Sequence, residues 1–276
     1  MIGRVRRLVA GEFLKLYAQP FFYFALVLLF VLTLSAEVLV PVFRGQKETL
    51  WRSYHSLQLF AYGFKWGLQV ATFVLLIFSS MLFAGEFDRG TIKNLLTRPI
   101  TRLELFLAKC VTVMALAALL YAFVFFVSMA YALWRGDLGP VWDESQFIMM
   151  RSRDEIIAHA RKAFLITFLP FLAVGFLGVL VSNLTESSGY AVAIALLVFI
   201  FGSLVSGWLS DRTQQKIFLY YGSYGFDKLL IWSEGGTTRW NPDIDARLLY
   251  VTVPLLTIAV FVPAAFGIFR SRNISA

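Results

Sequence analysis

The 276-residue sequence is 59% hydrophobic and 17% aromatic, with only 15% of its residues charged. A soluble domain carries about a quarter charged residues, so the composition excludes a water-soluble enzyme or binding domain and specifies lipid as the solvent. The net charge of +8 does not indicate nucleic acid, because many basic residues flank apolar runs, where anionic headgroups account for them, and no basic-aromatic platform or nucleic-acid motif is present.

Residues 2–17 predict an amphipathic helix. At 100° per residue, Ile2, Val5, Val9, Phe13 and Leu16 fall within about 80° of one another, while Arg4, Arg7 and Lys15 gather on the opposite face. Such a helix lies flat in the membrane interface with its basic side chains toward phosphates, and Gln19-Pro20 breaks it before the first apolar run. Segment 1–19 therefore reads as an elbow with Arg4, Arg7, Phe13 and Lys15 at the interface. The run that follows is longer than the 7–15 residues of a secretory signal, so it is expected to stay as a span.

Six spans are expected, at about 20–42, 57–84, 104–133, 164–183, 188–210 and 248–269. All read as helices, since an open sheet edge cannot be satisfied in lipid, and they place both termini on one side. With that side cytoplasmic, 11 Lys and Arg lie inside and 14 outside, but the short segments 1–19 and 85–109 hold nine of the inside 11. Short loops and helix flanks carry the positive-inside signal, so both termini are expected in the cytoplasm and the protein in the inner or plasma membrane. The whole chain reads as one transmembrane domain with two longer extracytoplasmic loops, 134–163 and 211–247. In the first, Met149, Ile156, Ile157, Ala160 and Phe164 share one helical face and Arg151, Glu155, His159 and Lys162 the other, predicting a second amphipathic stretch. The second holds Tyr and Trp suited to an interfacial belt.

The most informative stretch is "GEFDRGTIKNLLTRPITRLELFLAK", residues 85–109, which sets eight charged side chains and a proline between two membrane-length runs. Gly85 and Gly90 permit tight bends. Thr91 is suited to cap a short helix, "TIKNLLT", on which Leu95 and Leu96 form an apolar knob, and Pro99 ends it. Thr101 and Glu104 have the spacing of a capping box and restart the next helix. The segment reads as bend, short transverse helix, stop and restart: a docking part rather than a passive connector.

This stretch resembles the signature of ABC-2-type transporter permeases, roughly E-x-x-x-G-T-x-x-x-L-L-x-x-P-[IV]-[ST]-R followed by an alanine-lysine pair. Glu86, Gly90, Thr91, Leu95, Leu96, Pro99, Ile100, Thr101, Arg102, Ala108 and Lys109 match as they stand. "GEFLKL" in the elbow, the turn "SNLTESSGYAV" and the terminal "FRSRNI" extend the likeness over nearly the whole chain. The resemblance implies an all-α polytopic, type V exporter-like fold: elbow helix, six spans and a short cytoplasmic coupling helix at 91–98 within segment 85–103. It implies a second permease subunit, identical or a close paralogue, and two separate ATPase subunits that bind ATP and Mg. The coupling set would be Glu86, Gly90, Thr91, Asn94, Leu95, Leu96, Arg98, Pro99 and Arg102, with Glu86 paired to a basic residue of the same segment. The outer loops look longer than in the smallest members and leave room for a periplasmic partner.

No G-x-x-x-x-G-K-[ST] occurs, so this chain has no usual cradle for nucleotide phosphates, and no cofactor of its own is expected. No catalytic set converges either: well inside the spans Glu37 and Lys65 are the clearly ionisable side chains, and no histidine joins them. Both lie toward the outer ends of their helices, on a cargo path or as a structural pair. Met149-Met150 with His55 and His159 lacks metal-ligand spacing, and Cys110 is a single thiol suited to filling a buried position, so no metal site is expected. Pro170, Gly175 and Gly178, with Pro254 and Pro263, mark kinks or close helix packing. The leading function is an ATP-driven exporter permease with an unidentified cargo. The alternative is mechanotransmission or maturation, in which the same architecture acts on a periplasmic partner and carries nothing across.

Overall fold

The computed structural model describes residues 2–43, 56–92, 100–135, 141–143, 148–151, 153–206, 208 and 251–272. The main elements are α1 (Ile2–Tyr17), α2 (Pro20–Phe43), α3 (Ser56–Asp88), α4 (Arg102–Arg135), β1 (Val141–Asp143), β2 (Ile148–Arg151), α5 (Arg153–Leu184), α6 (Ser188–Ser206) and α7 (Val253–Ser271). Helices α2 to α7 are each long and apolar enough to cross a membrane. The chain is a multi-pass α-helical membrane protein with an amphipathic helix ahead of its first span.

Helix α3 is the axis of the bundle. It packs against α2, α4, α5 and α6, and 67% of its apolar window is buried, against 17% for α6 and for α7, which face outward. Lipid tails are as apolar as leucine, so helix association there depends on close fit, and α3 obtains it with glycine. A Cβ on Gly63 would lie 1.6 Å from Oε1 of Glu37, and one on Gly67 would lie 2.5 Å from Oγ1 of Thr33. Helix α5 does the same from its own side: a Cβ on Gly178 would meet Ser79 Oγ at 2.0 Å, and one on Gly175 would meet Val113 at 2.9 Å. The close packing expected at Gly175 and Gly178 is present. Several hydroxyls inside the bundle bond to their own helices, Thr33 donating to Leu29 O, Thr72 to Leu68 O and Thr112 to Ala108 O, since no water is available there.

Deeper in the bundle, Tyr121 of α4 bonds Phe164 O and Thr167 of α5. Its ring packs on Phe64, Phe164, Phe168 and Phe171. A buried tyrosine needs a partner for its hydroxyl, and this one locks α4 to α5 beside α3.

Two expectations are corrected. Residues 148–151, expected on the face of an amphipathic helix through Met149, form a strand that pairs antiparallel with Val141–Asp143. The helix begins only at Arg153 and then runs without a break through Pro170 to Leu184, so the amphipathic turns and the fourth span are one element. Gly85, expected to bend the chain, lies within α3. The bend is at Gly90, whose φ of 65° is open to glycine at no steric cost. His55 and the loop 211–247 fall outside what is described, as do the side chains of Met149, Met150, Glu155, His159 and Lys162.

Candidate functional site: the charged foot of the bundle

At one end of the bundle, α1, the foot of α3 and the head of α4 converge on four charges. Glu12 and Lys15 come from α1, Glu86 from the last turn of α3, and Lys109 from the second turn of α4. Glu12, Glu86 and Lys109 are buried, Lys109 completely. Lys15 Nζ donates to Glu12 Oε1 and to Glu86 Oε1, each at 2.7 Å. Lys109 Nζ donates to Leu82 O at 2.6 Å and sits 3.0 Å from Glu86 Oε2 and 3.7 Å from Glu12 Oε1. The Glu86 Oε2 contact is coulombic rather than an aligned hydrogen bond, since that oxygen lacks hydrogen-bond geometry despite the distance. The Phe83 ring lies 4.9 Å from the Lys109 ammonium, so every side of that charge has a partner.

The sequence explains why α1 folds in this way. Its inward stripe, Val5, Val9, Glu12, Phe13 and Leu16, is apolar except for Glu12, so burying the stripe carries one carboxylate to the bundle. Lys15 follows one turn later on the same side. Burial of the Lys15 stem works against its charge, but Glu86 first and then Glu12 outweigh it and hold the ammonium above its ordinary lysine value. Two cations and two carboxylates cancel, which is how buried charge is tolerated.

Around this centre, polar contacts tie the neighbouring ends together. Thr101 and Glu104 form the capping box: Thr101 N donates to Glu104 Oε2 at 3.0 Å and Glu104 N to Thr101 Oγ1 at 3.2 Å. The same Glu104 reaches Arg4 of α1 at 3.3 Å. Asp88 accepts the Ser188 hydroxyl at 2.6 Å, at the N-terminus of α6, where a negative charge is favoured. Ser182 Oγ accepts from Phe83 N and Ala84 N at 2.9 and 3.0 Å, clamping α5 to α3 within a turn of Glu86. Arg272 donates to Asn183 O and Thr185 O, both at 3.1 Å, and stacks 4.0 Å from the Phe87 ring.

Several residues expected in the coupling set can be placed. Glu86 pairs with Lys109, a basic residue of the same segment as expected, and also accepts a hydrogen bond from Lys15 of the elbow. The Thr91 hydroxyl donates back to Glu86 O at 3.4 Å. The Arg102 guanidinium folds onto the end of α7, donating to Arg270 O at 2.8 Å and Arg272 O at 3.0 Å, where free carbonyls of a helix terminus need donors. Asn94, Leu95, Leu96, Arg98 and Pro99 lie outside the described residues. In the elbow, Arg4 and Lys15 each reach a carboxylate while staying about half exposed, Arg7 is exposed, and Phe13 packs against the core.

Glu37 and Lys65 are not brought together. Among the described ion pairs none joins them. Lys65 Nζ sits 5.7 Å from the Trp66 ring centre. Glu37 is 1% exposed, wedged over Gly63 and facing Ser128, with neither carboxylate oxygen in hydrogen-bond geometry.

Residues 8–203 match the family model described as "ABC-2 family transporter protein". The chain belongs to the ABC-2 transporter family. The match takes in Glu12, Lys15, Glu86 and Lys109, so the four-charge centre lies within the shared part of this ABC-2 protein. It is also similar to "Uncharacterized protein YhcI" of Bacillus subtilis (strain 168), 21% identical over 209 residues, which is 72% of this chain and 63% of that relative. The chain thus spans under two thirds of the relative's length. Of the residues that build the foot, Glu12 was not singled out by sequence reading; an acidic residue in the middle of an apolar helical stripe is the signal that marks it. Gly63 and Gly67 were likewise present as a small-x-x-x-small pair.

Proposed function

We propose that this ABC-2 family protein is the permease subunit of an ATP-binding-cassette exporter. A separate ATPase pair hydrolyses ATP with Mg, and a second permease subunit, identical or a paralogue, completes the pathway. Segment 85–103 faces the cytoplasm with both termini, and 91–98 docks on the ATPase through Leu95 and Leu96.

The observation that supports this reading is the four-charge centre. The two helices that flank the segment, α3 and α4, are joined to each other through Glu86 and Lys109 and to the elbow through Lys15. A force applied to the segment is therefore delivered to three helices as one body rather than absorbed by a loop. Buried ion pairs rarely add net stability over apolar packing, so their use here fits a need to fix the register of moving parts. The contacts from Asp88 to α6 and from Arg102 to α7 extend the same foot toward the remaining spans.

The test is copurification. Leu95→Asp with Leu96→Asp leaves membrane insertion intact and removes the ATPase companion from the complex. Normal copurification of the double variant overturns the docking assignment.

A further inference from the structure

Between α1 and the foot of α3 lies a cavity of about 340 Å³, within the range of about 300–1,000 Å³ typical of small-molecule sites. Its α3 wall is one helical face, Phe78, Met81, Leu82, Gly85, Glu86 and Arg89, recurring every three to four residues. Its α1 wall is Glu12, Lys15, Leu16 and Gln19, and Thr91 closes the end beyond Arg89. The lining is divided: Leu16, Phe78, Met81 and Leu82 make an apolar half, and Lys15, Gln19, Arg89 and Thr91 a polar one. Gly85 has nothing within 4 Å of a built Cβ, so its missing side chain widens the space.

The depth and charge of the cavity select its occupant. An amphipathic helix leading into a span at Pro20 lies at headgroup level, so the cavity opens where lipid headgroups and the upper acyl chains are found. The carboxylates Glu12 and Glu86 are already balanced by Lys15 and Lys109. Arg89 takes part in none of the described ion pairs. The carboxylate beside it in the chain, Asp88, accepts from Ser188. Arg89 feels Asp88 only through space, where solvent screens both exposed groups, so among the described residues the polar half offers one positive charge outside any ion pair, with an amide beside it and an apolar wall behind.

We infer that this cavity binds an anionic phospholipid, its phosphate held by Arg89 with Gln19 and its upper acyl chain against Leu16, Phe78 and Met81. A zwitterionic lipid would bring a quaternary ammonium to a lining whose described carboxylates, Glu12 and Glu86, are both paired. Free phosphate would leave the apolar half empty.

The test uses the purified full chain in detergent, with phosphatidylglycerol, phosphatidylcholine or inorganic phosphate added, and native mass spectrometry to count retained adducts. The wild type retains phosphatidylglycerol in preference to phosphatidylcholine, and inorganic phosphate does not displace it. Arg89→Gln, on an exposed side chain, weakens retention about fivefold, the worth of one basic residue near a charged surface. Met81→Trp, which fills the apolar half, abolishes it. Retention of phosphatidylglycerol by both variants at the wild-type level overturns the site, as does equal retention of phosphatidylcholine. Displacement by inorganic phosphate overturns the lipid assignment. Binding is read without an ATPase partner, so the result is separate from that of the copurification test.

Discussion

Lys109 Nζ of α4 lies 3.0 Å from Glu86 Oε2 of α3 and 2.6 Å from Leu82 O, which joins the two helices on either side of the charged insert at full burial. Breaking a buried pair by removing one partner costs about 3–5 kcal/mol, because it strands the other charge. Lys109→Met leaves Glu12 and Glu86 to share Lys15 alone, so it is expected to lower thermal stability in detergent, and adding Glu86→Gln to recover part of the loss. Unfolding followed by tryptophan fluorescence measures both. Wild-type stability of Lys109→Met would show that the pair holds nothing.

Gly63 receives Glu37, and the fit leaves no room for a methyl group. A Cβ there would lie 1.6 Å from the Glu37 carboxylate, and overpacking of a filled site costs about 1–3 kcal/mol. Gly63→Ala is expected to reduce yield of folded protein, and Glu37→Ala in the same chain to restore it by removing the obstructing group. Size-exclusion profiles of the single and double variants read the result. Failure of the second change to rescue would place the strain elsewhere.

Glu37→Gln keeps the shape of a side chain whose two oxygens lack hydrogen-bond geometry, and it removes the possibility of an unpaired charge in lipid. Thermal stability is expected to hold or rise, since a buried ion without a partner is a cost of several kcal/mol. A carboxylate on the cargo path gives a different signature: transport changes while assembly does not. Loss of expression with unchanged transport per molecule would assign Glu37 to structure alone.

Thr101→Ala removes half of the capping box at the head of α4 and is expected to cost about 1 kcal/mol. Hydrogen exchange at residues 101–105 should rise locally, with the rest of α4 unaffected. Arg102→Ala should instead release protection at the distal end of α7, residues 269–272, because that is where its guanidinium is spent. If both variants exposed the same segment, the separate roles of the two neighbours would be wrong.

What could be read from the sequence followed the range of the interaction. The capping box was legible because Thr101 and Glu104 are three residues apart and their chemistry is self-contained. The six spans were legible because lipid imposes one rule on every run. Glu86 stood out as an acid at the mouth of a span, and Lys109 lies in the same segment. Lys15 was read as a headgroup contact, since nothing local shows that α1 folds back over α3 and meets Glu86 71 positions along the chain. Arg102 was assigned to docking for the same reason: its acceptors are 167 to 170 residues away. Residues 148–151 were read as helical because Met149 fits a 3.6-residue period with the isoleucines after Arg153. The strand pairing that claims them depends on Val141–Asp143, a short non-local match with little signal of its own.

The central claim is that the elbow and the start of the third span move as one body under the charged foot. It is tested most directly by electron-spin distance measurements between labels at Leu14 of α1 and Met114 of α4, both exposed, with Cys110 replaced by alanine and the permease–ATPase complex intact. The expected result is one Leu14–Met114 distance, the same in nucleotide-free and ATP-trapped complexes, while the distance from Leu14 to Ile194 of α6 shifts between them. A Leu14–Met114 distance that changes on ATP binding as much as the Leu14–Ile194 distance would contradict it.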